Sequence, residues 1–170
     1  NPQDGFLYLS GFQIWDSKAR RISGLSRLRR QQSSKELPAN IRIYKQGILL
    51  TFHKAVTAEL KRESFEIERW NYLRTKKYGS GHYKLDGSAG QERVLINSLT
   101  LSKDKRSLFI AAADMKKVMQ MTLTWTLGDQ HSVCSFSVNE LLEFEALRHG
   151  FPEIDFTKRG RFVKTVNNVH

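Results

Sequence analysis

One cysteine, three prolines and no apolar run long enough to span a bilayer set the first limits on this chain of 170 residues. A lone Cys134 excludes an intramolecular disulfide, a thiolate-rich zinc cluster and the C-x-x-C-H haem attachment motif. Between Val133 and Ser135 it reads as a small buried hydrophobe. The opening NPQDGFLYLSGF shows neither a basic start nor an apolar signal core. Acidic side chains are also scarce: 17 Asp and Glu against 28 Lys and Arg leave a formal charge of +11. That excess favours encounter with polyanions, anionic surfaces or acidic partners, and is no statement about fold. The length suits one ordinary domain, or one domain carrying a fragment of another.

What is abundant is alternation. FLYLSGFQIW and GLSRLRR read as two strands joined across DSKARRIS. NIRIYKQGILLTF alternates at Ile41 and Ile43, turns at Gln46-Gly47 and continues as a more uniformly apolar strand. In SFEIERW, Phe65 and Ile67 share one face and Glu66 and Glu68 the other. RVLINSLTLS, the polar turn KDKR and SLFIAAA predict a hairpin. MQMTLTWTL places Met119, Met121, Leu123, Trp125 and Leu127 on one side, and HSVCSFSV adds a last strand. Strands at this spacing predict a mainly β chain built as an antiparallel β-sandwich, with an N-terminal β-hairpin. Asn139 as a cap, Leu141, Leu142, Phe144 and Leu147 near helical spacing, and Gly150 as a stop predict one short C-terminal helix. The resulting division is a strand pair over 1–32, a Pro38-containing linker over 33–40, the sandwich over 41–138, and a helix with a basic tail over 139–170.

Motifs for chemistry are thin. A blue-copper site needs Cys, His and a weak Met ligand close together in sequence, yet the first His after Cys134 is His149 and no Met follows. His53, His82, His131, His149 and His170 never stand two or four apart, so no zinc pattern forms. There is no G-x-S-x-G elbow, and DGSAGQER lacks the Gly-Lys-Ser/Thr ending of a phosphate loop. No catalytic residue, metal ligand or cofactor-binding residue is assigned from the sequence, and none of the motifs supplies an independent active site.

The segment RWNYLRTKKYGSGHY concentrates aromatic and basic side chains and carries the candidate partner surface: Trp70, Tyr72, Arg74, Lys76, Lys77, Tyr78, His82 and Tyr83. Basic grooves lined with aromatics hold single-stranded nucleic acids, which would use Arg69, Arg74, Lys76, Lys77 and Tyr78. A carbohydrate platform would use Trp70, Tyr72, Tyr78 and Tyr83. The structural alternative is that Gly79 and Gly81 shape a turn from which Tyr78 and Tyr83 fold back over Trp70.

Taken in order, DGFLYLSGFQIW, ISGLSRLRR, GILLTFHKAV, FEIERWNYLRTKKYGSGHY and LTLSKDKRSLFIAAADMKKVMQMTLTWTL resemble the C-terminal region of large secreted bacterial multidomain proteins. In these, a β-propeller like that of soluble quinone-dependent sugar dehydrogenases, often joined to haem-binding cytochrome domains, is followed by an Ig-like sandwich. The resemblance covers residues 4–127 and implies that 4–30 are the last strands of a propeller blade and 41–127 the appended sandwich. It implies a secreted or periplasmic, non-catalytic accessory domain whose partners are neighbouring domains or protein subunits. Quinone, calcium and haem ligands of that family lie in propeller and cytochrome segments outside this chain, so no cofactor is implied here. Where the family has an acidic-proline-leucine turn after LTF, this chain has His53, Lys54, Ala55 and Val56, and beyond Leu127 the pattern departs further.

Overall fold

A computed structural model describes residues 3–12, 18, 23–28, 37–76, 79–154 and 156. The chain divides into two units, Asn1–Lys35 and Glu36–His170. Most of the DSKARRIS loop, residues 29–36 (of which 33–36 belong to the expected linker), Lys77, Tyr78 and the basic tail from Thr157 lie outside the described residues.

The first unit is a hairpin in which β1 (Leu7–Phe12) pairs antiparallel with β2 (Ser23–Leu28), Leu7 opposite Leu28 and Phe12 opposite Ser23. Because cross-strand partners share a face, this register gathers Leu7, Leu9 and Leu28 on one side, each about half exposed. Asp4 accepts from the Phe6 backbone N–H and from the Tyr8 hydroxyl, and the Arg27 guanidinium lies 4.7 Å from the Phe6 ring centroid.

The second unit holds two antiparallel sheets. Sheet one runs β11 (Gln130–Val138), β10 (Val118–Leu127), β5 (Phe65–Tyr72), with β6 (His82–Tyr83) and β7 (Glu92–Val94) both pairing with β5. Sheet two runs β3 (Pro38–Tyr44), β4 (Gly47–Phe52), β9 (Ser107–Ala112), β8 (Ile96–Leu101). β3 starts at Pro38, so the end of the expected linker is already strand. Leu95 alone separates β7 from β8, and the chain changes sheet there.

One apolar cluster joins the sheets in a sandwich-like arrangement: Ile48, Leu50, Leu108 and Ile110 of sheet two with Phe65, Ile67, Met121, Leu123 and Trp125 of sheet one. The alternation read from the sequence supplies these inward files. β4 is apolar but for Thr51 because both its faces are covered: Leu49 belongs to a second cluster on the outer side, with Tyr44, Phe109, Ala111, Phe144 and Phe151. β4 and β9 approach so closely that a Cβ on Gly47, whose φ is 148°, would stand 2.0 Å from the Ile110 carbonyl oxygen.

Two expectations change. Met119 leaves the inward file and is about half exposed, because a register shift between Val118 and Met121 turns Val118 inward instead. The expected helix from Asn139 is reduced to a 3-10 turn, Ala146–His149, closed as expected by Gly150 in a left-handed conformation, φ 74°. Before it the chain runs extended as a strap. Leu142 bridges Tyr44, the Phe144 N–H donates to Gln46 Oε1, and the Phe144 ring stacks on Phe109 with centroids 3.8 Å apart. Delivering Phe144 to Phe109 requires a straight crossing, and a helix this short gains little by itself. Leu142 and Leu147, which a helical stripe would bury, are left largely exposed.

Candidate functional site

The segment 69–83 is organised by the end of β5. Strand alternation continues the inward file Phe65, Ile67 to Arg69, and sends Trp70 and Tyr72 to the other face beside Glu66 and Glu68. Arg69 is therefore no surface cation: its side chain is 3% exposed. Its Nη2 lies 3.0 Å from Glu92 Oε1 and 2.9 Å from Asp114 Oδ2, Nε donates to Glu92 Oε2, and Nη1 donates to the Asp114 carbonyl. Burial acts to lower the Arg69 pKa, but hydrogen bonds to the two carboxylates outweigh it and raise the pKa above its ordinary value. The same bonds hold the Glu92 and Asp114 carboxyls below theirs.

On the opposite face the loop after Tyr72 turns back on itself. The Leu73 N–H donates to Ser80 Oγ, Thr75 Oγ1 donates to the Gly79 carbonyl, and Gly79 takes φ 82°. The return places His82 opposite Tyr72 and its imidazole on the Trp70 indole, centroids 4.6 Å apart and planes at 27°. Tyr72 meets the same imidazole edge-on at 5.8 Å. The Gln91 side-chain amide lies 2.8 Å from His82 Nδ1 and fixes the ring from its edge.

Of the candidate surface residues, the fold brings Trp70, Tyr72 and His82 together and leaves Arg74 and Lys76 exposed on the loop. Tyr83 is half-buried opposite Asn71 and bridges Ala89; Lys77 and Tyr78 lie outside the described residues. Among the described residues the ring stacked on Trp70 is His82; Tyr78, which the sequence suggested for that place together with Tyr83, lies outside them. Trp70 is 8% exposed, belongs to neither apolar cluster, and its Nε1–H has no partner among the described residues. The Arg69 triad was missed because its partners stand 23 and 45 residues further on; the one local signal was an arginine two places after Ile67 in an inward file.

Two open pockets lie nearby. One, of about 480 Å³, is lined by Arg69, Lys84, Asp86, Glu92, Asp114 and Lys116, among others, so charges of both signs face it. The other, of about 440 Å³, is mainly apolar and is lined by Phe65, Ile67, Val94, Leu95 and Ile96 with Arg62, Glu63, Glu66 and Arg93. Among the described residues no group of three or more His, Cys, Asp or Glu is placed to hold a metal ion, and no helix is long and apolar enough to cross a membrane. No protein-family model, no curated protein and no solved structure matches this chain.

Proposed function

We propose that the chain is a non-catalytic accessory and interaction module: an Ig-like sandwich attached to a strand pair that completes a neighbouring β-propeller-like domain in a secreted bacterial redox or carbohydrate-active protein. The observation that carries this reading is the first hairpin. Two strands are marginal by themselves, and this pair presents Leu7, Leu9 and Leu28 together on an exposed face. Such a face is what an inner or flanking strand of a larger sheet offers its neighbours. Further support comes from the charged groups with displaced pKa values. Glu92 and Asp114 are both engaged by the Arg69 guanidinium, which suits architecture better than proton transfer.

A base or a sugar stacking on Trp70 would have to displace His82 from the indole face, which weighs against the nucleic-acid and carbohydrate alternatives. The test is amide hydrogen exchange in β1 and β2, compared between the 170-residue chain and the native protein isolated from its source. Module behaviour requires the hairpin amides to be protected at least roughly tenfold more in the native protein. Equal exchange in both, or turnover by the isolated chain, would overturn the reading.

A further inference from the structure

The longest strand edge of the sandwich is also the least defended. β11 ends sheet one, and among the described residues nothing pairs with its outer side. Its nine residues, QHSVCSFSV, contain no Pro, Lys, Arg, Asp or Glu, the devices with which soluble proteins blunt such edges. The other edges are guarded. β3 opens on Pro38, carries the exposed Arg42 and is bridged by Leu142; β8 is shorter and has a register shift between Ile96 and Ser98; β6 and β7 have two and three residues.

Leu127 and Gln130 close the two-residue Gly128-Asp129 turn, so they form a hydrogen-bonded pair and the pattern alternates from there. Gln130, Ser132, Cys134 and Phe136 then turn their backbone groups toward β10, while His131, Val133, Ser135 and Ser137 turn theirs outward. The cross-strand side-chain bonds Thr122 to Ser135, 3.0 Å, and Thr126 to His131, 3.3 Å, fall at the closely spaced positions this phase requires.

We propose that β11 is the interface of a two-fold homodimer, in which Gln130–Val138 of two copies pair antiparallel about Cys134 and fuse two sheets into one. The phase admits this register: Val133 faces Ser135 of the second copy as a hydrogen-bonded pair, and Cys134 faces Cys134 at a closely spaced pair. Bulk is complementary, since Phe136 falls opposite Ser132 twice, on the inward side where Cys134 and Phe136 already pack against the core. Charge selects the occupant. A chain with a net charge of +11 repels its own copies, and β11 is a stretch where two can meet without placing like charges opposite each other. An acidic partner would be drawn to the basic loops, not to an edge without charge. The inference stands independently of the accessory reading.

The experiment is analytical ultracentrifugation of the 170-residue chain at tens of micromolar, with two variants. Ser135→Pro removes an outward N–H that β10 does not use, and Val133→Lys puts a cation on the exposed edge. A dimer is expected for the wild type, and each variant should weaken it by about tenfold or more while keeping the strand circular-dichroism spectrum. Copper-phenanthroline oxidation is expected to join the two Cys134 thiols in a disulfide, as a closely spaced antiparallel pair allows. A wild-type monomer, or a dimer indifferent to both substitutions, would overturn the interface; a dimer refractory to the Cys134 cross-link would overturn its register.

Discussion

At the scale of single residues, Gly47 and Arg69 make the sharpest predictions. Gly47→Ala would drive a methyl group into the Ile110 carbonyl with no flexible side chain to yield, so we expect a loss of about 3 kcal/mol or more in urea unfolding. Arg69 gives an asymmetric prediction. Its carboxylate partners are substantially solvent-exposed, while it is buried. Arg69→Met removes the buried charge and leaves hydrated carboxylates, so stability should change by only about 1 kcal/mol. The Glu92→Gln, Asp114→Asn double variant leaves a buried cation uncompensated and should lose on the order of 3 kcal/mol. Acid provides a second readout. Because Glu92 and Asp114 have depressed pKa values in the fold, their contribution is present above their unfolded values of 4.5 and 3.8 and is lost as pH falls through the folded ones. Unfolding midpoints measured on acidification below those values should fall less steeply in Arg69→Met than in the wild type. A residual slope should remain from Asp86, Asp104 and Glu143, whose pKa values are lowered by hydrogen bonds from Ser88, Ser102 and Lys45. Of all this, little was legible in the sequence: the position of Arg69 after Phe65 and Ile67 hints at an inward side chain, but its partners are remote in the chain and no local pattern names them.

At the scale of elements, alternation was legible wherever one strand face meets the core, and failed where the backbone changed step. Met121, Leu123, Trp125 and Leu127 are buried as their spacing predicts, while Met119 is displaced by a bulge that leaves composition unchanged. The strap failed for a different reason. Leu141, Leu142, Phe144 and Leu147 have helical spacing, but the destination of Phe144 is Phe109, a tertiary partner that spacing cannot reveal. The strap also makes a prediction of its own. Phe144 is stacked on Phe109 at one side and on His149 at 5.2 Å on the other, within a cluster separate from the inter-sheet core. Phe144→Ala should therefore cost about 3 kcal/mol locally. Hydrogen exchange should quicken in residues 142–154 and in Tyr44–Gln46, while β5 and β10 retain their protection. Uniform loss of protection would mean that the two clusters act as one. In the candidate site, the shared face of Trp70 and Tyr72 followed from their spacing, whereas the His82 stack depended on the loop closure through Ser80 and could not be read in advance.

At the scale of the whole molecule, charge and division into units govern behaviour. The 28 basic side chains are spread along the whole sequence, so retention on a heparin column at low salt is expected and should weaken steeply as salt rises. Arg74→Ala with Lys76→Ala should advance elution only slightly; a collapse of retention would instead mark that loop as a dedicated anion site. The sandwich builds both apolar clusters from residues between Ile41 and Phe156. A chain comprising Glu36–His170 should therefore unfold cooperatively, with a thermal midpoint within about 4 °C of the full chain in scanning calorimetry. The single-residue passage at Leu95 has a mechanical meaning as well. It is a spine stitched along one side of a two-leaf book, and the Leu142 bridge to Tyr44 is the clasp near the opposite margin. With the clasp undone, the apolar filling and the spine still hold the leaves, so solvent should gain its first entry at the fore-edge, where Phe136 and Ile41 pack against that filling.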